Sequence, residues 1–562
     1  MHDVTASTTH PPRPPRRVLA DARIWLIVLV AAISLYRFSL VGSGHFYWGD
    51  ERCFLPAVQL VNDLERGEYR RAIARLYEPI GSVSPSRPGF VLVSILPVVA
   101  QRHIGPRIGI QTDTVRSYDI VAVFNALTCT AITACVFVLA HTWMRNTWYA
   151  LLAATAFSLL GSSNVWIRHM VPYNQSLLFG LAALCLLARG AAAGGCGVRA
   201  VAAGLLTGLA HACYPGHYAF VLINGAVAWL GVRNRGPGVA LAFCAALATV
   251  IAAFELMAQP AGMSYIADSV HFARSVTMGS FAEGYVFAWR VMRDVEGAAG
   301  IASLLLFCAL VGLIVRHSAA DVPRSARVAL IAALGAYLFH ATLSVVFHRM
   351  VFYGRTFLVF IPFIVCGAVM ALVQLRRPRI RRFAACGFAA VSVASFATFA
   401  VEYSRVVYPA DFLQSTMMAQ GFAAEYPPNL LWRFDDGTTE ANAPWANPQV
   451  AMVVDSSPEG QTGYFLNLSH AEARRASPEI IGANLSFMGY IAERDTRFSP
   501  GAGYVLAAEA PHPELLPALG FYEGRRPWER RRLAERGYTM RIYRRDDKRM
   551  ASRGAKPEVR PP

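Results

Sequence analysis

Two adjacent carboxylates, Asp50 and Glu51, lie just past the first hydrophobic segment of the chain. A positioned carboxylate can accept a proton from an attacking hydroxyl group, so the pair is a candidate general base. The same pair could instead face water at a membrane interface or bind the neighbouring Arg52. What it does depends on the elements that position it. Aromatic residues flank the pair in the sequence: Phe46, Tyr47, Trp48 and Phe54.

Basic residues stand at the starts of later hydrophobic segments. Arg87 precedes Pro88, and His348, Arg349 and Arg355 precede a late apolar helix. A guanidinium can bind a phosphate group through two parallel hydrogen bonds. We therefore predict that these residues bind a phosphate. The alternative is that they anchor helices at the lipid headgroups.

Two short polar segments could bind a substrate through hydrogen bonds. The first separates two predicted helices, and the second is a break inside an apolar stretch. Neither has the ligand spacing of a recognised zinc site, so no metal ligands are predicted. The candidate substrate-binding residues in these segments are Arg168, His169, Asn174, His211, Tyr214 and His217.

The composition places these residues in a membrane protein. The chain has 562 residues, of which 55% are apolar and only 16% are charged, and its mean hydropathy is +0.36. Such a chain is a polytopic membrane protein rather than a soluble one. The formal charge of +17 comes mostly from arginines at the ends of apolar segments, which excludes a nucleic-acid partner in favour of contacts with membrane lipid.

About twenty apolar residues are needed to cross a bilayer, and the sequence predicts about 11–13 membrane helices. The stretch 199–232 reads as two helices that turn at 213–217, whereas 88–100 is short and either spans or re-enters the membrane. The remaining predicted spans are 24–42, 120–142, 148–165, 172–189, 237–257, 298–316, 328–347, 356–374 and 383–402.

Arginine-rich loops set the predicted orientation. Five arginines lie between residues 376 and 382, and such clusters face the cytoplasm. The basic N-terminus, 1–23, is then a disordered cytoplasmic segment, and the transmembrane domain covers 24–403. The loop 43–87, with its acidic motif, faces outward. We predict a multi-pass protein of the inner (plasma) membrane.

The C-terminal part has a different composition and predicts an extracytoplasmic α/β domain over 404–548, followed by a disordered tail, 549–562. Strands are predicted at 449–455, 503–508 and 538–543, with helices around 470–475 and 529–536. The predicted fold class is therefore a polytopic α-helical membrane domain with a C-terminal α/β domain outside the membrane.

The order of these motifs resembles a known class of enzymes. An acid pair in a long outer loop, the Arg87–Pro88 helix start, a later outer loop with Arg168, and Arg355 before a proline-containing helix follow one another on one side of the membrane. This order is similar to that of the GT-C glycosyltransferases that use polyprenyl-phosphate sugars, such as protein O-mannosyltransferases and bacterial aminoarabinose transferases.

The resemblance implies transfer of one sugar from a polyprenyl-phosphate donor to an envelope glycan, a lipid or a protein hydroxyl on the outer face. Asp50 would act as the base, with Glu51 beside it, and attack opposite the phosphate gives inversion. Arg87, Arg349 and Arg355 would bind the donor phosphate together with His348. Transfer without a cofactor is preferred, and transfer assisted by a divalent metal stays open, as do the sugar and the acceptor.

One segment departs from the pattern of the class. In the resembling families a proline in this loop is followed by an acid, whereas here Pro172 is followed by Tyr173 and Asn174. Two other functions therefore stay open. The chain could transport or flip lipid-linked saccharides, or it could be a catalytically silent assembly protein of the same fold.

Overall fold

A computed structural model describes residues 22–39, 41, 54–78, 87–109, 119–164, 167, 171–193, 196–231, 236–275, 284–316, 321–349 and 354–402, together with the backbone of short strands between 432 and 545. The helices are α1 Ala22–Ser39, α2 Leu55–Glu65, α3 Tyr69–Leu76, α4 Pro88–His103, α5 Asp119–Met144, α6 Thr147–Ser158, α7 Tyr173–Ala193, α8 Cys196–Cys213, α9 Ala219–Ala226, α10 Gly236–Ala258, α11 Tyr265–Ser275, α12 Phe287–Asp294, α13 Gly297–Val315, α14 Arg324–Val345, α15 Gly354–Phe357, α16 Ile361–Val373 and α17 Pro378–Glu402.

Within the described residues, five helices are long and apolar enough to cross a membrane. They confirm the predicted spans at 120–142, 237–257, 298–316, 328–347 and 383–402, while the total of about 11–13 stays a prediction. Shorter apolar helices cover Ile24–Ser39, Gly197–Cys213 and Ile361–Val373. The spans are Ile120–Met144, Pro237–Ala261, Gly297–Val315, Arg324–Val345 and Pro378–Ala400.

The predicted break at 213–217 is confirmed. Helix α8 ends at Cys213, a single 3-10 turn covers Pro215–His217, and α9 begins at Ala219. A proline interrupts the helical hydrogen-bond ladder because it has no N–H to donate. The polar residues of the turn are therefore presented at a helix end.

Helix α4 lies along one end of the bundle instead of crossing it. Its first residues pack on the end of α8, where Gly89 lies against Ala212 and Cys213. Near its other end, the Gln101 side chain accepts a hydrogen bond of 3.1 Å from the Ile120 backbone N–H at the start of α5. The end of α8 and the start of α5 belong to the same end of the bundle, which we call the site end.

Helices α2 and α3 lie inside the predicted outer loop 43–87 and pack with α4 at the site end. The Tyr77 hydroxyl donates a hydrogen bond of 2.6 Å to the Phe254 carbonyl near the end of α10. Burial raises the pKa of this phenol, so it stays a donor at neutral pH. The described part of the loop is therefore a helical layer that covers the site end.

The C-terminal strands form two small sheets. Three of them, at Val450–Val454, Tyr504–Ala508 and Tyr538–Arg545, fall on predicted strands. The first two pair in parallel, which requires a crossover connection, and the residues between them lie outside the described part of the chain. The strands are β1 Trp432–Arg433, β2 Thr439–Glu440, β3 Val450–Val454, β4 Tyr504–Ala508, β5 Phe521–Glu523, β6 Arg530–Leu533 and β7 Tyr538–Arg545.

The predicted helix around 529–536 is wrong. Strand β6 occupies Arg530–Leu533 and pairs antiparallel with β7. Its arginines favour a helix by local propensity, but the β7 ladder supplies backbone partners, and such non-local pairing overrides a weak local preference. The predicted helix at 470–475 lies outside the described residues, so the α/β class of this domain stays a prediction.

Glycines set the close packing of α8 against α10. A Cβ atom on Gly204 would overlap the carbonyl oxygen of Phe243 and lie 2.8 Å from the Ala246 Cβ. Small residues let membrane helices approach backbone to backbone. The neighbouring helix has no flexible side chain at this point that could move aside.

We therefore expect Gly204→Ala to destabilise the bundle, because overpacking a tight contact costs about 1–3 kcal/mol. The measurement is the melting temperature of the purified protein in detergent. The matched control is Gly335→Ala in α14, where an added Cβ meets nothing within 4 Å. Equal melting temperatures for the two variants would contradict the close packing.

Candidate functional site

The candidate site begins where α4 meets the end of α8. A Cβ on Gly89 would lie 2.7 Å from the Ala212 carbonyl carbon and 2.8 Å from the Cys213 nitrogen. Only a glycine allows this approach without a shift of the backbone. Pro88, at the first helical position, fixes the direction in which α4 starts. Together they place Arg87 next to Tyr214.

Arg87 is buried, with 3% of its surface exposed. Its guanidinium carbon lies 5.3 Å from the centroid of the Tyr214 ring. The negative face of an aromatic ring attracts a cation and holds it without neutralising its charge. The predicted phosphate-binding arginine is therefore held on an aromatic face at the site end.

A second arginine reaches the same place from α15. The Arg355 Nη1 atom donates a hydrogen bond of 3.3 Å to the Tyr173 hydroxyl, and the guanidinium carbon lies 5.8 Å from the Tyr173 ring centroid. The Tyr173 and Tyr214 rings meet edge to face, 4.8 Å apart at an angle of 72°. Arg87, Tyr214, Tyr173 and Arg355 thus form one continuous group, which we call the arginine–tyrosine cluster.

His217 connects this cluster to the surrounding backbone. Its Nε2 lies 2.9 Å from the Arg355 carbonyl oxygen, and its Nδ1 lies 2.9 Å from the Ser176 hydroxyl oxygen. A carbonyl oxygen only accepts, so Nε2 carries the hydrogen. The Ser176 hydroxyl also lies 2.8 Å from the Ala210 carbonyl oxygen, so its one hydrogen is shared between that oxygen and Nδ1. The ring also packs edge to face on Tyr214, with centroids 4.9 Å apart. His217 therefore holds the backbone from which the Arg355 side chain extends.

Burial lowers the pKa of His217 to about 4, although the hydrogen bond to the Arg355 carbonyl acts in the opposite direction. The imidazole is consequently neutral at physiological pH. The cluster thus contains two guanidinium groups, two phenol rings and a neutral imidazole. Such a set suits an anionic group, because the guanidiniums supply charge and the imidazole adds none.

Other predicted site residues lie beside the cluster. Asn174 is buried next to Tyr173, and its Nδ2 lies 3.1 Å from the Cys129 sulfur. The Nδ1 of His211 lies 2.8 Å from the Tyr265 hydroxyl oxygen, in the layer formed with α11. These two side chains are thus engaged with neighbouring helices.

His348 and Arg349 follow α14 and are exposed, and His348 has a left-handed backbone with φ of +50°. The fold therefore places Arg355, but not Arg349, in the buried cluster. Asp50, Glu51, Arg168 and His169 lie outside the described residues. Their predicted roles stay predictions.

Sequence reasoning missed the roles of Tyr173 and Ser176. Tyr173 drew attention only because it replaces the acid expected after Pro172, yet its ring contacts both Arg355 and Tyr214. The one signal available was an aromatic residue at a helix start close to predicted phosphate ligands. Ser176 carried no signal, because its partner His217 is distant in sequence. No group of three or more His, Cys, Asp or Glu residues that could hold a metal occurs in the part of the chain that the structure describes.

No protein-family model and no curated protein matches this sequence. Among solved structures, the chain is similar to ArnT from Cupriavidus metallidurans bound to undecaprenyl phosphate, with 14% identity, 94% of this chain and 99% of that chain covered, and a TM-score of 0.46. It is also similar to the archaeal oligosaccharyltransferase AglB from Archaeoglobus fulgidus in complex with an inhibitory peptide and a dolichol-phosphate, with 11% identity, coverage of 94% and 75%, and a TM-score of 0.44.

A third similar structure is the arabinofuranosyltransferase AftD from Mycobacteria, with 14% identity, coverage of 93% and 40%, and a TM-score of 0.42. All three are glycosyltransferases of the GT-C class, which is the class that the order of motifs in the sequence resembles. At these identities and TM-scores, the likeness transfers no residue roles to this chain.

The neutral state of His217 predicts a pH dependence. The pKa of this group is lower in the folded protein, about 4, than its ordinary value of 6.5. The unfolded chain therefore binds the proton more readily, and stability is lost as the pH falls from 6.5 towards 4. The expected loss reaches up to about 3 kcal/mol, from 1.36 kcal/mol per pH unit.

The measurement is the melting temperature of the wild type and of His217→Gln in detergent between pH 7.5 and pH 4.5. Because the other titrating groups are common to both proteins, their effects cancel in the difference. We expect the wild type to lose more stability than the variant on acidification. Parallel curves would show that His217 is not held neutral.

Proposed function

We propose that this protein is an integral-membrane glycosyltransferase that transfers a sugar from a polyprenyl-phosphate donor to a hydroxyl group of an envelope glycan, a lipid or a protein. The observation that carries the proposal is the arginine–tyrosine cluster. Arg87 and Arg355 are far apart in the sequence and were both predicted to bind the donor phosphate, and they converge on one tyrosine pair.

The cluster would bind the phosphate of the donor. Charge-assisted hydrogen bonds from guanidinium groups to phosphate oxygens are strong and can be bidentate. When the sugar leaves, the phosphate keeps the electron pair of the broken bond and gains negative charge. Groups placed beforehand at the position of developing charge lower the barrier to such a reaction. Arg87 and Arg355 would supply this stabilisation.

Asp50 would act as the base, with Glu51 beside it. Its carboxylate would accept the proton of the acceptor hydroxyl while the hydroxyl oxygen attacks the anomeric carbon opposite the phosphate. A single displacement of this kind inverts the configuration at that carbon. The loop that carries the acid pair follows α1, and the Arg37 side chain near the end of α1 donates a hydrogen bond to Asn164 at the site end. The acid pair would therefore start from the same end of the bundle as the cluster.

The site end would face outward, towards the periplasm. Arg381, from the arginine-rich segment 376–382, lies 6.0 Å from the ring centroid of Tyr149 at the start of α6. The other end of α6 leads into the turn at Gly161–Ser163, which belongs to the site end. Basic segments such as 376–382 stay on the cytoplasmic side. The arginine–tyrosine cluster and the acid pair would therefore lie on the opposite side of the inner membrane.

The phosphate-binding role predicts a difference between two arginines of one segment. Arg355→Lys keeps the charge but loses the planar fork, so we expect undecaprenyl phosphate to bind about tenfold more weakly. Arg349→Lys alters an exposed residue outside the buried cluster and should change the Kd less than twofold. The measurement is the Kd of undecaprenyl phosphate for each purified protein in lipid nanodiscs. An equal loss of affinity in both variants would contradict phosphate binding by the arginine–tyrosine cluster.

The base role is tested with Asp50→Asn. We expect transfer of labelled sugar from a polyprenyl-phosphate donor to envelope extract to fall about 10²–10⁴-fold, as for other general bases. Binding of undecaprenyl phosphate should stay within twofold of the wild type, because the phosphate contacts are unchanged. Unaltered transfer would exclude Asp50 as the base. Tight binding without transfer by either protein would instead favour a transporter.

A further inference from the structure

A third arginine is buried outside the arginine–tyrosine cluster. Arg37, near the end of α1, has none of its surface exposed. Its Nε donates to the Asn164 side-chain oxygen at 3.0 Å, and its Nη1 lies 3.3 Å from the hydroxyl oxygens of both Thr130 and Thr133. Among the described residues, no carboxylate forms an ion pair with this guanidinium, and its Nη2 atom has no hydrogen-bond partner.

The three acceptors are oriented for this guanidinium. The Thr130 and Thr133 hydroxyls donate their own hydrogens to the carbonyls of Ala126 and Cys129. The amide nitrogen of Asn164 donates to the Ser158 and Leu160 carbonyls, which leaves its oxygen for Arg37. These neutral groups satisfy hydrogen bonds, but they do not neutralise a buried charge, which remains costly.

A buried carboxyl group binds the other side of the same turn. Glu296 is buried, and its two oxygens accept hydrogen bonds from the backbone N–H groups of Gly161 and Ser162, at 2.7 and 3.0 Å. The turn then closes with a bond of 2.9 Å from the Asn164 N–H to the Gly161 carbonyl. The Glu296 carboxyl group thus lies at the donor side of the turn, and Arg37 binds the Asn164 oxygen.

We infer that Arg37 and Glu296 are a coupled pair of positioning residues, whose opposite buried charges compensate one another through the turn 161–164. The turn connects the two groups, because Gly161 and Ser162 donate to Glu296 and Asn164 accepts from Arg37. Neither group touches the other, so the pair does not qualify as a salt bridge. Its effect is to fix the last turn of α1 against the residues that follow α6 and against the start of α13.

This fixed point is close to the cluster. Arg37 binds Thr130 and Thr133 of α5, and Asn174 at the start of α7 contacts Cys129 of the same helix turn. The end of α1 and the start of α7 are therefore held on one short stretch of α5. Given the proposed function, on which this step rests, the pair sets the position of the end of α1, which precedes the acid pair in the chain, relative to Tyr173 and Arg355.

The coupling is tested by a double-mutant cycle that needs no substrate. Arg37→Met and Glu296→Gln each remove one charge, and each leaves the other uncompensated in the bundle. We expect both single variants to lower the melting temperature of the purified protein, and the double variant to lower it by less than the sum of the two. Additive losses would show that the two residues act independently and would overturn the inference.

The matched control combines Arg37→Met with Thr207→Val. Thr207 is also fully buried, but its hydroxyl receives a hydrogen bond from the Asn224 side chain between α8 and α9, away from the turn. The decreases in melting temperature caused by Arg37→Met and Thr207→Val should therefore add. Non-additivity in this control as large as in the Arg37–Glu296 cycle would indicate a general loss of cooperativity and would also overturn the inference.

The positioning role is tested by kinetics well below the melting temperatures. We expect Arg37→Met to lower kcat at least about tenfold while KM for the polyprenyl-phosphate donor stays within twofold, because misplacing a reacting group affects the reaction more than binding. Wild-type kcat and KM in this variant would limit Arg37 to a structural role. If the wild type neither binds undecaprenyl phosphate nor transfers sugar, the proposed function fails, whereas the thermal cycle still decides the coupling.

Discussion

The burial of guanidinium groups in an apolar helical bundle is the constraint on which the site end depends. A charge removed from water is costly unless other groups replace its hydration. The fold meets this requirement in two ways. Arg87 and Arg355 lie on the rings of Tyr214 and Tyr173, whereas Arg37 donates to amide and hydroxyl oxygens. Each solution draws together helices that are distant in sequence, so the charges organise the packing at this end.

The two solutions have different chemical consequences. An aromatic face holds a cation by its quadrupole and adds no opposite charge of its own. The hydroxyl and amide groups around Arg37 donate their hydrogens to backbone carbonyls, so their oxygens accept hydrogen bonds from the guanidinium. The neutral state of His217 fits the same division, because it orders the Arg355 backbone without adding a charge that would have to be compensated.

Patterns local in sequence were predictable, and pairings between distant residues were not. Hydrophobic length indicated the main helices, and the proline in 213–217 indicated the break between α8 and α9. The sequence also indicated that Arg87 could bind a phosphate, because a basic residue before Pro88 marks a helix start. It could not show that Arg37 is more than an interruption of α1, since its partner Asn164 belongs to another helix end. For the same reason, β6 was mistaken for a helix.

The tyrosine that replaces the expected acid is consistent with this electrostatic arrangement. A carboxylate in contact with Arg355 would form an ion pair with it, because opposite charges at hydrogen-bond distance attract each other. The phenol instead accepts a hydrogen bond from Arg355 and packs edge to face against Tyr214, and it adds no charge of its own. Under the proposed function, a phenol at this position would not compete with the donor phosphate for Arg355 as a carboxylate would.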